Sequence, residues 1–158
     1  MVILKKLLQK QLNIIKKFFF MELIIKILTF TSGRIVWENR AEKITLFSNR
    51  GQITVLKNHT PFVTALDVGI TTIFMKSGKV DFIILGGFAV VKQNYIIIFA
   101  NSLEYLDPAN LNGFFIEIAY QEAKNKLENA ETEKQRADAF FQYKRAKARY
   151  QLFKQYKN

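Results

Sequence analysis

Apolar positions recur along the chain with two different periods, and the switch between them divides it into three parts. Between Met21 and about Tyr105 they come in short runs rich in β-branched and aromatic residues: "IIKILTF", "KITLF", "ITVL", "ITTIFM", "VDFIILGGFAVV" and "YIIIFAN". Turn-forming residues separate the runs at Ser32-Gly33, Asn49-Arg50-Gly51, Lys57-Asn58-His59, Asp67-Val68-Gly69, Ser77-Gly78 and Lys92-Gln93-Asn94. Short strands with turns roughly every 8–12 residues predict an antiparallel β-sandwich over 21–105. "FMKSGKVDF" and "VVKQNYIII" are the predicted hairpins. Gly86-Gly87, inside an apolar run, predicts a bulge or a close backbone approach. That run, Phe82 to Val91, is closed by Asp81 and Lys92 and has strand length. It falls well short of the roughly 18 apolar residues that a spanning helix needs.

From "LDPANLN" onward the period becomes helical, over 106–158. Asp107 suits an N-cap and Pro108 a first helical position, while Gly113 weakens helix formation, so the first helix is expected at or after Pro108. Ile116, Tyr120, Ala123, Leu127 and Ala130 form one stripe, and Ala139, Tyr143, Ala146, Tyr150 and Phe153 another. The polar break near "NAETEKQ" joins them into an antiparallel two-helix hairpin. Its stripes are narrow, so it needs the sandwich or a partner to hold it. The fold class is therefore α+β.

Residues 1–20 also carry the helical period. Lys5, Lys6, Lys10, Lys16 and Lys17 fall on one side, and Leu4, Leu7, Leu8, Ile15, Phe18 and Phe19 on the other. Such a segment can lie on an anionic membrane. It lacks the Ser and Arg richness of a transit peptide and any small-residue cleavage site. The simpler expectation is a domain opening at Met21, preceded by an extension that is outside the native fold or disordered.

The formal net charge of +11 changes this picture little once it is divided along the chain. Residues 1–20 hold five Lys and no acid, and the excess over the rest is mild, so no phosphate-tracking surface is indicated. With no cysteine, a disulfide framework, a thiolate nucleophile and a Cys-based zinc site are excluded. His59 is the one histidine, and no serine elbow or further metal ligand is spaced to work with it. Neither a P-loop nor a G-x-G-x-x-G is present. A structural corner is the better reading of His59, and no cofactor or metal is expected.

Four stretches in order carry a resemblance to a known family. They are "MELIIKILTFTSGRIVWENRAEKI", "NRGQITVLKNHTPFVTALDVGI", "LGGFAVVKQNYIIIFAN" and "AKNKLENAETEKQRADAFFQYKRAKARYQ". Together they resemble the epsilon subunit of F-type ATP synthases, in its chloroplast or cyanobacterial form, over Met21 to about Tyr156. Two stretches depart from the family pattern. Thr54 stands where many members have Gly at a turn, and "ANLNGFFIEIAYQE" is longer than the usual approach to the first helix. The Asp-x-x-Arg-Ala motif through which some bacterial members bind ATP is absent after Asp107, so no nucleotide site is expected.

The resemblance implies a non-catalytic central-stalk (rotor) subunit that couples the gamma subunit to the c ring. It implies that His59 and Pro61 shape a loop at the sandwich end facing the ring, that Gly51 and Gln52 lead into it, and that Gly86 and Gly87 share the interface. It also implies that the hairpin can extend toward the catalytic beta subunits and inhibit ATP hydrolysis. Lys144, Arg145, Lys147 and Arg149 would there meet acidic surface. The implied location is peripheral, on the stromal side of the chloroplast thylakoid membrane, or the cytoplasmic side of a bacterial one. The rival from another class is a small basic protein that binds nucleic acid or anionic membrane through residues 1–20 and 134–157. An enzyme built on His59 is a distant third.

Overall fold

The computed structural model describes residues 2–19 and 22–158, side chains 13–19 excepted. Helix α1 (Val2–Phe19) leads into eight strands: β1 (Leu23–Thr29), β2 (Ile35–Ala41), β3 (Lys43–Ser48), β4 (Gly51–Leu56), β5 (Phe62–Met75), β6 (Gly78–Lys92), β7 (Tyr95–Ala100) and β8 (Leu103–Tyr105). A single 3-10 turn (Pro108–Asn110) and two helices, α2 (Gly113–Glu128) and α3 (Glu133–Lys157), complete the chain.

The strands follow the order β2-β1-β7-β6-β5-β3-β4, with β8 added beside β6. β5 and β6 are long enough to serve two sheets. The far half of β6 pairs with β7 (Gly87↔Ala100 to Lys92↔Tyr95), whereas its first half pairs with β8 (Phe82↔Tyr105 to Ile84↔Leu103). One sheet is β2-β1-β7 with the far half of β6 and the start of β5. The other is β8, the first half of β6, the rest of β5, β3 and β4. Between them lies a core of fully buried Leu23, Ile25, Ile27, Ile44, Leu46, Ile73, Ile96 and Ile98. Trp37 of β2 meets Phe82 of β6 across it edge-on at 5.6 Å. The sandwich is antiparallel except where β1 pairs with β7 in parallel, Ile24↔Tyr95 to Thr29↔Ala100. That pair brings the first and seventh strands together in mid-sheet, each with an antiparallel neighbour on its other side.

The chain bends from one sheet to the other at Asp67 and Gly86, where the β5–β6 ladder is interrupted between Leu66↔Gly87 and Val68↔Leu85. Gly86 and Gly87 take φ of 83° and 138° there. A Cβ on Gly87 would run into the Phe99 carbonyl oxygen and approach the Ala100 Cα to 2.9 Å. Backbone atoms cannot yield as a side chain can. Gly87→Ala is therefore expected to cost about 3 kcal/mol or more, combining left-handed strain with overpacking. Thermal unfolding checks this: a melting temperature unchanged from wild type would refute the close approach.

The first α-helix of the hairpin starts later than Pro108, within the expectation. Asp107 caps only the 3-10 turn, its Oδ1 accepting from the Ala109 amide at 3.0 Å. The α-helix begins at Gly113, where Asn112 Oδ1 accepts from the Phe114 amide at 3.2 Å. Gly113 is tolerated at this first position because the Phe153 ring occupies the space a Cβ would need. The polar break becomes a tight connection closed by Thr132 and Gln135, which cap each other's backbone. α2 and α3 then run antiparallel, with Tyr120 stacked on Tyr150 at 4.8 Å and near Tyr143 at 5.8 Å.

The extension expected to lack order is helical over Val2–Phe19. Its unbroken helical period, free of Gly and Pro, accounts for that. Thr54, expected at a turn, sits inside β4 opposite Thr45, their hydroxyls 3.2 Å apart.

Candidate functional site

The six residues attributed to one interface occupy two ends of the sandwich. Gly51 closes the β3–β4 turn, where Ser48 Oγ donates to its carbonyl at 2.9 Å, and Gln52 follows on β4. Ser48 also pairs with Leu66, which pairs with Gly87, so Gly51, Gln52, Gly86 and Gly87 share an end. His59 and Pro61 lie in the β4–β5 loop, beyond the opposite end of the six-residue β4 and thus roughly 20 Å away. Gly51 and Gln52 therefore lead to the His59 loop only through the whole length of β4, at whose far end it lies.

At the His59 end, the loop is ordered by asparagines. Asn58 adopts φ 59°, and its amide donates to the Oδ1 of buried Asn94 in the β6–β7 turn at 2.8 Å. His59 is half-buried. Its Nδ1 pairs with the Thr60 carbonyl at 2.8 Å and its ring lies 5.0 Å from Phe62. Among the described residues no acid or hydroxyl side chain bonds to the ring, and no group of three His, Asp or Glu side chains gathers. Nothing here is arranged for general-base work or metal binding.

Three of the four predicted cations of α3 are placed against the sandwich. Ala148 and Leu152 are buried on Val68, Ile83 and Leu85, with Ile70, Leu106 and Tyr156 around them. Around this apolar seam the ion pairs close. Lys144 Nζ donates to both oxygens of Asp67 at 2.9 and 2.7 Å. Arg145 and Arg149 both donate to Glu104, the latter at 2.7 Å from its Nε. Tyr156 Oη donates to buried Asp81 at 3.0 Å, and Thr72 donates to the same carboxylate. Lys147 alone of the four is solvent-exposed, 5.8 Å above the Tyr143 ring. A groove of about 700 Å³ beside the seam is lined in part by Gln52, Asp67, Lys144 and Lys147.

Two of these contacts titrate in opposite senses. Burial alone would raise the Asp67 carboxyl, but the Lys144 hydrogen bond, the Val68 amide and the Lys144 charge outweigh it and hold it below its ordinary 3.8. Tyr156 is pushed well above its ordinary 10.0 by burial, the Asp81 charge and the hydrogen bond to Asp81. A depressed carboxylate contributes fully above its unfolded value, and that contribution fades as pH falls through the folded value. A raised phenol contributes fully below its unfolded value and fades as pH rises above it. Docking of the hairpin is thus expected to be flat between about pH 4 and 10 and to weaken outside that window. The Leu152 methyl resonances report it; loosening between pH 5 and 9 would refute this assignment.

The sequence stripes anticipated the α2–α3 seam but missed the second face of α3, which carries Ala148, Leu152 and Tyr156. The four-residue steps from Ala148 to Leu152 to Tyr156 are the signal, hidden because the arginines lie among them.

A second surface was missed altogether. Cross-strand partners point to the same side of a sheet. The registers line up Val63, Val90, Ile97 and Lys26 in one row, and Ala65, Phe88, Phe99 and Leu28 in the next. Both rows are on the outer side of the first sheet, because the alternate residues, such as Ile25, Ala89, Ile96 and Ile98, fill the core. Val63 is 68% exposed and Phe88 36%, and Phe30 at 57% exposure packs 6.0 Å from Phe88. The hairpin covers the outer face of the other sheet; this one is bare.

Comparison with known proteins gives this arrangement a family. The family model for the ATP synthase delta/epsilon chain β-sandwich domain matches residues 25–105. A plastid ATP synthase epsilon chain from Prototheca wickerhamii is 50% identical over 133 residues, covering 84% of this chain and 98% of that one.

The chain belongs to the ATP synthase epsilon family.

The chloroplastic epsilon chain of Chlorella vulgaris is 45% identical, over 83% of this chain and 96% of its own. Among solved structures, a chain of the Euglena gracilis mitochondrial ATP synthase (OSCP/F1/c-ring) superposes with a TM-score of 0.69 at 21% identity. That superposition covers 80% of this chain and 78% of the other. One from the Tetrahymena thermophila mitochondrial central stalk and c ring gives 0.57 at 16% identity, over 84% and 96%. At these identities the likeness is one of fold. Epsilon chains are non-catalytic subunits of the rotary complex.

Proposed function

We propose that this chain sits in the central stalk of a plastid ATP synthase, binding the gamma subunit through the bare face of its first sheet. That face is the observation that supports the reading. "LIIKILT", "YIIIFA" and "GGFAVVK" carry apolar residues on both sides of each strand, a pattern of strands buried twice, yet among the described residues one side has no cover. Of the six residues attributed to the c ring, Gly51, Gln52, Gly86 and Gly87 share an end, and we assign the ring contact there; His59 and Pro61 belong to the opposite end. The complex lies on the stromal side of the thylakoid membrane, peripheral to it, and among the described residues no helix is long and apolar enough to cross a bilayer.

The hairpin supplies regulation. Docked, it spends Lys144, Arg145 and Arg149 on Asp67 and Glu104; released, the same three cations and Lys147 are free for acidic surface on the catalytic beta subunits. The two states compete for one set of charges, which is what a switch between environments of similar free energy requires. The direct test is size-exclusion chromatography of this chain with the gamma subunit of a plastid ATP synthase. A one-to-one complex supports the assignment; two separate peaks from folded partners would overturn it.

A further inference from the structure

We propose that α1 is a bilayer-surface helix that holds the subunit, before its incorporation into the stalk, on an anionic membrane. The argument rests on how completely the helix divides. At 3.6 residues per turn, Lys5, Lys6 and Lys10 fall within an arc of roughly 140°, together with Gln9 and Val2. The complementary arc holds Ile3, Leu4, Leu7, Leu8 and Leu12, broken by Gln11. No acidic residue lies in the helix.

That apolar arc is uncovered in this fold. Ile3, Leu4, Leu7, Leu8 and Leu12 are 47 to 76% exposed. The helix spans roughly 27 Å at 1.5 Å per residue, long enough to lie along a surface and too charged to enter one. β1, the next element, begins at the His59 end, where Glu22 accepts from Lys76 of the β5–β6 turn at 2.6 Å. This is the end opposite Gly51 and the proposed ring contact.

A nucleic acid would satisfy the lysines but leave a wide apolar arc in water. A bilayer with anionic headgroups satisfies both arcs, with leucines sunk into the acyl boundary and lysines at the phosphates or sulfonates. Confinement to the membrane plane raises the local concentration of the subunit where the ring is already embedded. The proposal stands apart from the gamma-binding assignment, because it concerns the free chain.

The test is co-sedimentation of the full chain with vesicles of phosphatidylcholine alone or with a quarter phosphatidylglycerol. The chain is expected to bind the anionic vesicles with a rise in helical circular dichroism, and to bind neutral ones at least about tenfold more weakly. Leu4→Gln with Leu7→Gln and Leu8→Gln should lower that binding by about tenfold or more, with the melting temperature unchanged. Lys5→Gln with Lys6→Gln and Lys10→Gln should remove the preference for anionic lipid. Equal binding by the leucine variant, equal binding to both vesicles, or displacement of the chain from vesicles by equimolar single-stranded RNA would each overturn the proposal.

Discussion

Replacing Glu104 with Gln is expected to loosen the hairpin from the sandwich by about 2 kcal/mol, or roughly thirtyfold in the docking equilibrium. Glu104 is the one acceptor for two guanidinium groups, and its side chain is only 13% exposed. Gln keeps the shape and loses the charge, so the Ala148–Leu152 seam would have to hold α3 with less help. Isolated helices of this kind are marginal in water, so the released hairpin frays and is cut. Trypsin cleavage after Arg145 and Arg149 should therefore quicken in the variant, while the sandwich keeps its melting temperature. Incorporated into the complex, the same variant should inhibit ATP hydrolysis more strongly, because the freed arginines become available elsewhere. Wild-type cleavage kinetics would show that these ion pairs do not hold the hairpin.

Val63→Glu combined with Phe88→Glu is expected to abolish the complex with gamma, weakening it by at least about a hundredfold. The two positions belong to adjacent outer rows of the first sheet, and both are exposed in this fold. Carboxylates there remain hydrated in the free chain, so stability should change little. Against an apolar partner each would be buried without a counter-charge. A double variant that folds and still co-elutes with gamma would move the interface elsewhere.

Much of the fold could be read from residue order. "KITLF" and "ITVL" alternate or run apolar between turn residues and became β3 and β4, and the last strand ends at Tyr105. The parallel β1–β7 pair could not be read, because strand order depends on which faces meet in space and not on spacing along the chain. The candidate site was half legible. The four α3 cations were visible as a cluster, but their partners Asp67 and Glu104 lie 77 and 41 residues away from the side chains they bind. The bare sheet was written in "YIIIFA", whose unbroken apolar run called for two buried faces; only the layers show that one lacks its cover. The separation of Gly51 from His59 follows from β4 running straight between them for its full length.

The measurement that tests the central claim most directly is hydroxyl-radical footprinting of the chain alone and in complex with gamma. The account predicts that Phe88, Phe99 and Tyr95 lose reactivity on complex formation, while Phe114 and Phe115, exposed on α2 away from this sheet, keep theirs. Unchanged reactivity at Phe88, Phe99 and Tyr95 with protection at Phe114 and Phe115 would contradict it, and would make the hairpin, not the bare sheet, the surface that gamma binds.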